Sequence, residues 1–139
     1  MALTEHKTRP AIIRWVKAGD GYPWKINDNY ENGVPDWYLE FPHRDFFLEC
    51  KHIKKLPVRA GIQPDLSPAQ LAWLERRAAR RDDARVLITF GETKIEHILI
   101  LYTSQDWDRK IPLDEVKARL LPAKAEYFLT NLEQRNVNY

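Results

Sequence analysis

Apolar residues recur along the 139-residue chain in two rhythms. Ile12, Ile13, Trp15 and Val16 gather on one side of a 3.6-residue period, which predicts a helix over residues 8–18, stopped by the "GDG" of 19–21. Pro10 is comfortable in a first turn and costly deeper inside a helix, so Glu5 lies either just before that helix or on a kinked extension of it. Runs rich in aromatic and β-branched residues then take over. "YPWKIN" (22–27) reads as a short strand and residues 27–33 as turn chemistry, while "DWYLEF" (36–41) and "FFLECKHI" (46–53) form a hairpin across a loop at 42–45. After a proline-rich irregular stretch, Ser67 and Pro68 supply the N-cap and first position of a helix reaching into residues 76–81. "RVLITF" (85–90) and "IEHILILY" (95–102) are strands around a "GETK" turn, and helices over 112–121 and 125–134 close the chain. The order α-β-β-β-α-β-β-α-α predicts an α/β domain, a mixed sheet flanked by helices.

Composition narrows the class. With 44% hydrophobic and 30% charged residues, the chain suits one folded domain spanning 1–139. No apolar run approaches the roughly 20 residues of a membrane helix, and the first fifteen residues lack the pattern of a secretory signal. Cys50 is the single cysteine, so no internal disulfide forms and no Cys/His spacing suggests zinc; a reducing, cytoplasmic setting is expected. The net charge of +2 does not announce a nucleic-acid binder, but its distribution is uneven. Lys51, Lys54, Lys55 and Arg59, then Arg76, Arg77, Arg80 and Arg81, make the middle third basic.

Candidate chemistry sits on the hairpin. Side chains alternate faces along a strand, so Asp36, Tyr38 and Glu40 share one side, as do Phe47, Glu49 and Lys51. A loop at 42–45 sets Phe41 against Phe46, Tyr38 against Glu49 and Asp36 against Lys51, making Asp36 and Glu49 diagonal neighbours roughly 7–8 Å apart at the backbone. Two carboxylates so placed repel unless a cation lies between them, and a hard divalent ion is the natural choice, with the Cys50 carbonyl as a further donor. Lys51 is suited to orient a water or balance charge on a phosphorane-like transition state. Glu92/Lys94 and Glu115/Lys117 repeat the E-x-K spacing, but in a turn and a helix, where such pairs are ordinary solvated charges.

"GVPDWYL", the twelve residues between Asp36 and Glu49, "ECK" and the Ser-Pro helix "LSPAQLAWLERRA" together resemble the PD-(D/E)XK nuclease superfamily, and most closely its VRR-NUC family of small virus-type nucleases, over about residues 5–90. The resemblance implies a restriction-endonuclease-like α-β-β-β-α-β core and metal-dependent hydrolysis of DNA. It implies Asp36 and Glu49 as Mg²⁺ ligands (Mn²⁺ substituting), Lys51 as the catalytic lysine, Gln70 as an auxiliary residue and Glu5 as the glutamate that members carry on the first helix. By analogy it also implies selectivity for junctions, flaps or nicks and a homodimer.

Each residue has a plainer reading beside this one. Asp36 can end a turn, Glu49 and Lys51 can form a cross-strand ion pair, and Gln70 borders an apolar helix stripe of Leu71, Leu74 and Ala78. Lys54, Lys55, Arg59 and Arg77 are candidates for phosphate contacts or for a solvated face, and Trp73 either stacks against a nucleotide or packs below the arginines. His52 reads as structural, Tyr38 as packing and the Cys50 side chain as core. The functional alternatives are a DNA endonuclease, a non-catalytic DNA-binding or assembly module on the same scaffold, and an RNA nuclease.

Overall fold

The computed structural model describes residues 2–27 and 32–134, the side chain of Ser104 excepted, so the turn expected over 27–33 lies largely outside the described residues. A 3₁₀ turn, His6–Thr8, runs into α1 (Arg9–Ala18); then come β1 (Tyr22–Lys25), β2 (Trp37–Glu40), β3 (Asp45–Ile53), α2 (Pro68–Ala78), β4 (Ala84–Phe90) and β5 (His97–Leu101). Two elements the periodicity did not predict, α3 (Ser104–Trp107) and the two-residue β6 (Leu121–Pro122), fall around α4 (Leu113–Arg119) before α5 (Ala125–Leu132). The strands form one open six-stranded sheet in the order β1-β2-β3-β4-β5-β6. Only β3 and β4 pair in parallel, joined by the crossover through α2, so the sheet is mixed and the protein is of α/β class.

Alternation along the strands builds two cores. Leu39, Phe46, Leu48, Leu87 and Ile98 pack against Ile12, Trp15 and Val16 of α1 and Phe128 and Leu132 of α5. The opposite face sets Val86, Ile88, Phe90, Leu99 and Leu101 against Leu74 of α2, Trp107 of α3 and Val116 of α4. Trp107 and Phe128, which the sequence left between core and dimer face, are core; Tyr127 is exposed. Every residue of β4 is buried, as expected of a central strand covered on both sides. In α2, Leu74 is buried and Leu71 partly so, but Ala78 is exposed: the apolar stripe ends before the last turn. No helix among the described residues is long and apolar enough to cross a membrane.

The hairpin is tighter than expected. Phe41 N–H donates to Arg44 O (3.1 Å) around a Pro42-His43 tip, and the register pairs Trp37 with Leu48, Tyr38 with Phe47 and Glu40 with Asp45. The expected pairings of Phe41 with Phe46, Tyr38 with Glu49 and Asp36 with Lys51 are therefore wrong by two residues. Pro42 is the reason, since its fixed φ favours the second position of a compact turn. A two-residue slip keeps every side chain on its face, so the expected sidedness survives.

Candidate functional site

The ladder between β2 and β3 stops at Trp37, and the chain dictates why. Continuing the register would set Pro35 against Cys50, and proline has no N–H to offer the Cys50 carbonyl. Asp36 takes over at this break, its Oδ2 accepting the Cys50 N–H at 2.8 Å. In an extended strand a residue's N–H and C=O point to the same side, so the Cys50 carbonyl also faces the Asp36 end. The Cys50 thiol points into the core instead, and burial pushes its pKa up.

Glu49 is only 2% exposed, and by register it lies level with Asp36. Its Oε2 accepts from Gln70 Nε2 at 3.0 Å and lies 3.6 Å from Lys51 Nζ, while the buried Oε1 has no hydrogen-bond partner among the described residues. Burial first, and then the Asp36 charge, push the Glu49 carboxyl up to about 8; Lys51 opposes them and Glu5 adds to them. Gln70 holds the group together. Its Oε1 accepts both the Ser67 N–H (2.9 Å), completing a capping box at the start of α2, and the Lys51 ammonium (3.3 Å). One amide orientation satisfies all three bonds.

Gly33 brings α2 within reach. Its φ is +87°, and a Cβ there would lie 2.2 Å from the Ala69 carbonyl oxygen. The loop entering β2 thus packs directly on the first turn of α2, where only glycine combines the left-handed conformation with so close an approach. Gly33→Ala is expected to cost about 2 kcal/mol or more, read as a lowered midpoint in urea unfolding.

Pro10 occupies the second position of α1, and Glu5 stands in helical conformation just before the 3₁₀ turn that leads into it, so the extension continues the helix without a break. Leu3 N–H donates to Glu92 O at 2.7 Å and ties this segment to the turn after β4. Glu5 is an exposed residue whose carboxyl pKa is raised, first by partial desolvation and then by the Asp36 charge, against Lys51. Three carboxylates, Glu5, Asp36 and Glu49, thus share one field.

Lys25 is a member the sequence did not reveal. Its Nζ lies 3.8 Å from Asp36 Oδ1 and donates to the carbonyls of Asp36 (3.1 Å) and Ile26 (3.3 Å). The residue carries no motif; only the pairing of Lys25 with Trp37 brings it beside Asp36. His52 is structural. Its Nε2 faces the Gly91 carbonyl at 2.9 Å and so carries the proton, leaving Nδ1 to accept from the Thr89 hydroxyl at 2.7 Å; burial lowers its pKa. Tyr38 packs against Phe47 with ring centroids 5.1 Å apart and donates to Asp45, which raises its pKa to about 12.

The basic candidates divide. Lys54, Lys55 and Arg59 are exposed on the segment leaving β3, directly after the Glu49–Lys51 strand. Arg77 is committed internally, donating through Nε and Nη2 to Asp83 (2.8 and 2.6 Å) and lying over the Phe47 ring. Trp73 packs edge-on against Phe47 at 5.0 Å.

Among the described residues no group of three or more His, Cys, Asp or Glu side chains is assembled as a metal site. The donors that do converge are hard oxygens, and one buried carboxylate oxygen lacks any partner. That set fits a hard divalent cation and not a soft one. In comparisons with known proteins, no family model matches the chain and no curated protein matches it.

Proposed function

We propose that the protein is a divalent-metal-dependent endonuclease that hydrolyses DNA phosphodiester bonds, with a restriction-endonuclease-like core of the PD-(D/E)XK type. The observation that carries this reading is Glu49. A buried carboxyl with an unpartnered oxygen, set level with a second carboxylate and beside an ammonium, is a costly arrangement for a structural ion pair. It is an economical one for a site that receives a cation. Asp36 and Glu49 would hold Mg²⁺ or Mn²⁺ with the Cys50 carbonyl, and water and substrate oxygens would complete the shell, as is usual for Mg²⁺. The ion supplies Lewis-acid polarisation of the phosphate and a more acidic water.

The chain's own groups do the rest. Lys51, held by Gln70 and Glu49, presents an ammonium to the charge that develops on the phosphate oxygens. Gln70 fixes both Glu49 and Lys51 from one helix turn, so neither has to reorganise as the reaction proceeds. Glu5 extends the anionic side of the site. Lys54, Lys55 and Arg59 lie on the segment next along the chain and are suited to flanking phosphates. A single buried cysteine agrees with a reducing, cytoplasmic setting.

The test is cleavage of linear, nicked, flapped and four-way DNA, with an RNA strand alongside, in Mg²⁺ or Mn²⁺. Cleavage by the wild type that disappears in Glu49→Ala is the expected result. Turnover that persists unchanged in Glu49→Ala would overturn the reading. Binding without cleavage, together with no heat of Mg²⁺ binding by calorimetry, would assign the scaffold to a non-catalytic role.

A further inference from the structure

An unusual pair of side chains stands in solvent on β1. Tyr22 is 56% exposed and Trp24 50%, with ring centroids 4.7 Å apart, on an edge strand. Register sets Trp24 against Tyr38 and Tyr38 against Phe47, so Trp24, Tyr38, Phe47 and Glu49 lie on one face of the sheet. The aromatic row runs on from Phe47 to Trp73 of α2. Trp73 is partly buried, whereas Tyr22 and Trp24 remain open. Trp24 Nε1 donates to Glu40, which holds the indole in place. Tyr38, the strand partner of Trp24, is two residues from Asp36, so the rings stand within a nucleotide or two of the carboxylates.

A groove of about 640 Å³ opens on Tyr38 and is lined by Arg44, Arg77, Arg80 and Arg81 with three aspartates. Asp83 holds Arg77 and Asp82 holds Arg44, while Arg80 and Arg81 make no ion pair among the described residues. An aromatic edge by itself would suit a second copy of the chain equally well, but the uncommitted cations beside it select a polyanion. A flat ring can stack only on a base that is not already paired and stacked within a duplex.

We propose that Tyr22 and Trp24 form a stacking platform for unpaired bases, so that the substrate enters the Asp36–Glu49 site as a single-stranded segment whose phosphates run toward Arg80 and Arg81. This rests on the nuclease reading for the site and adds the substrate class.

The experiment is fluorescence anisotropy with a labelled single strand of about twelve nucleotides and its matched duplex, in EDTA so that nothing is cut. Replacing both rings (Tyr22→Ala with Trp24→Ala) is expected to weaken single-strand binding at least about 10-fold and to leave duplex binding within about twofold. Trp24→Phe, which keeps a ring, should retain most of the affinity. An abasic tract should reproduce the loss on wild-type protein and cause little further loss on the double variant. A matched RNA strand that shows the same aromatic dependence also upholds the platform, and the ratio of the DNA and RNA affinities of the wild type gives the sugar preference. Unchanged single-strand affinity in the double variant, or an equal loss on duplex, overturns the proposal. So does unchanged affinity accompanied by a dimer-to-monomer shift in sedimentation, which would make this face a self-association surface. Cleavage of the same strand in Mg²⁺ by the wild type and by Glu49→Ala separates the two readings. Cleavage that needs Glu49 without ring-dependent binding leaves the nuclease standing alone, and ring-dependent binding without cleavage leaves the platform standing alone.

Discussion

Glu49→Gln is expected to be more stable than the wild type by a few kcal/mol at pH 8 and by less than about 1 kcal/mol at pH 5. Glu49 has its pKa raised from 4.5 to about 8 in the folded protein, by burial and then by Asp36. Between those two values the unfolded chain has released the proton while the folded chain still holds it. The unfolded state therefore binds fewer protons, and stability falls as pH rises through this window, with the full penalty present above about 8 and none below about 4.5. Glutamine has no proton to lose and lacks that slope. Urea unfolding of both proteins at the two pH values reads the difference directly, and an equal gap at both would show that Glu49 does not carry the penalty. On the proposed function, saturating Mg²⁺ should narrow the gap at pH 8 by stabilising only the wild type, because the ion binds the folded state alone.

Lys51→Met is expected to lower the single-turnover cleavage rate about 10²–10³-fold, a loss typical of removing one preorganised charge donor from a transition state. It has a second consequence that requires no substrate. Lys51 is the cation that pulls the Glu49 pKa down, with its Nζ 3.6 Å from Oε2. Without it the Glu49 pKa moves above about 8, and the pH range over which stability declines extends upward. The methionine stem preserves the packing of the lysine chain, so a role in packing alone would show neither the rate loss nor the displaced pH profile, and an ion pair without a part in the chemistry would show only the displaced profile. Lys51→Met that cleaves at the wild-type rate would remove Lys51 from the chemistry while leaving its effect on Glu49 intact.

The alternation of "DWYLEF" and "FFLECKHI" determined by itself that Asp36, Glu49 and Lys51 would share a side, because the strand period is two and the register error was also two. Ser67 and Pro68 likewise determined where α2 begins, since capping is local chemistry. Pro35 shows the same logic once the register is known: a missing N–H ends the ladder and leaves Asp36 to bond Cys50. What tertiary structure alone decided are the partners that lie far apart in the chain. Lys25 reaches Asp36 only because β1 pairs with β2, and the segment carrying Glu5 is pinned to the turn after β4, which leaves its carboxyl within the field of Asp36 and Lys51. Arg85 is the clearest case. It reads as the polar first residue of a strand, yet it is fully buried and donates to the carbonyls of Leu132 and Gln134 at the end of α5, to Ala84 O and to Asp82. No local period encodes such a contact. A buried guanidinium is tolerated where donors and acceptors meet, and that meeting exists only after the sheet and the last helix have packed.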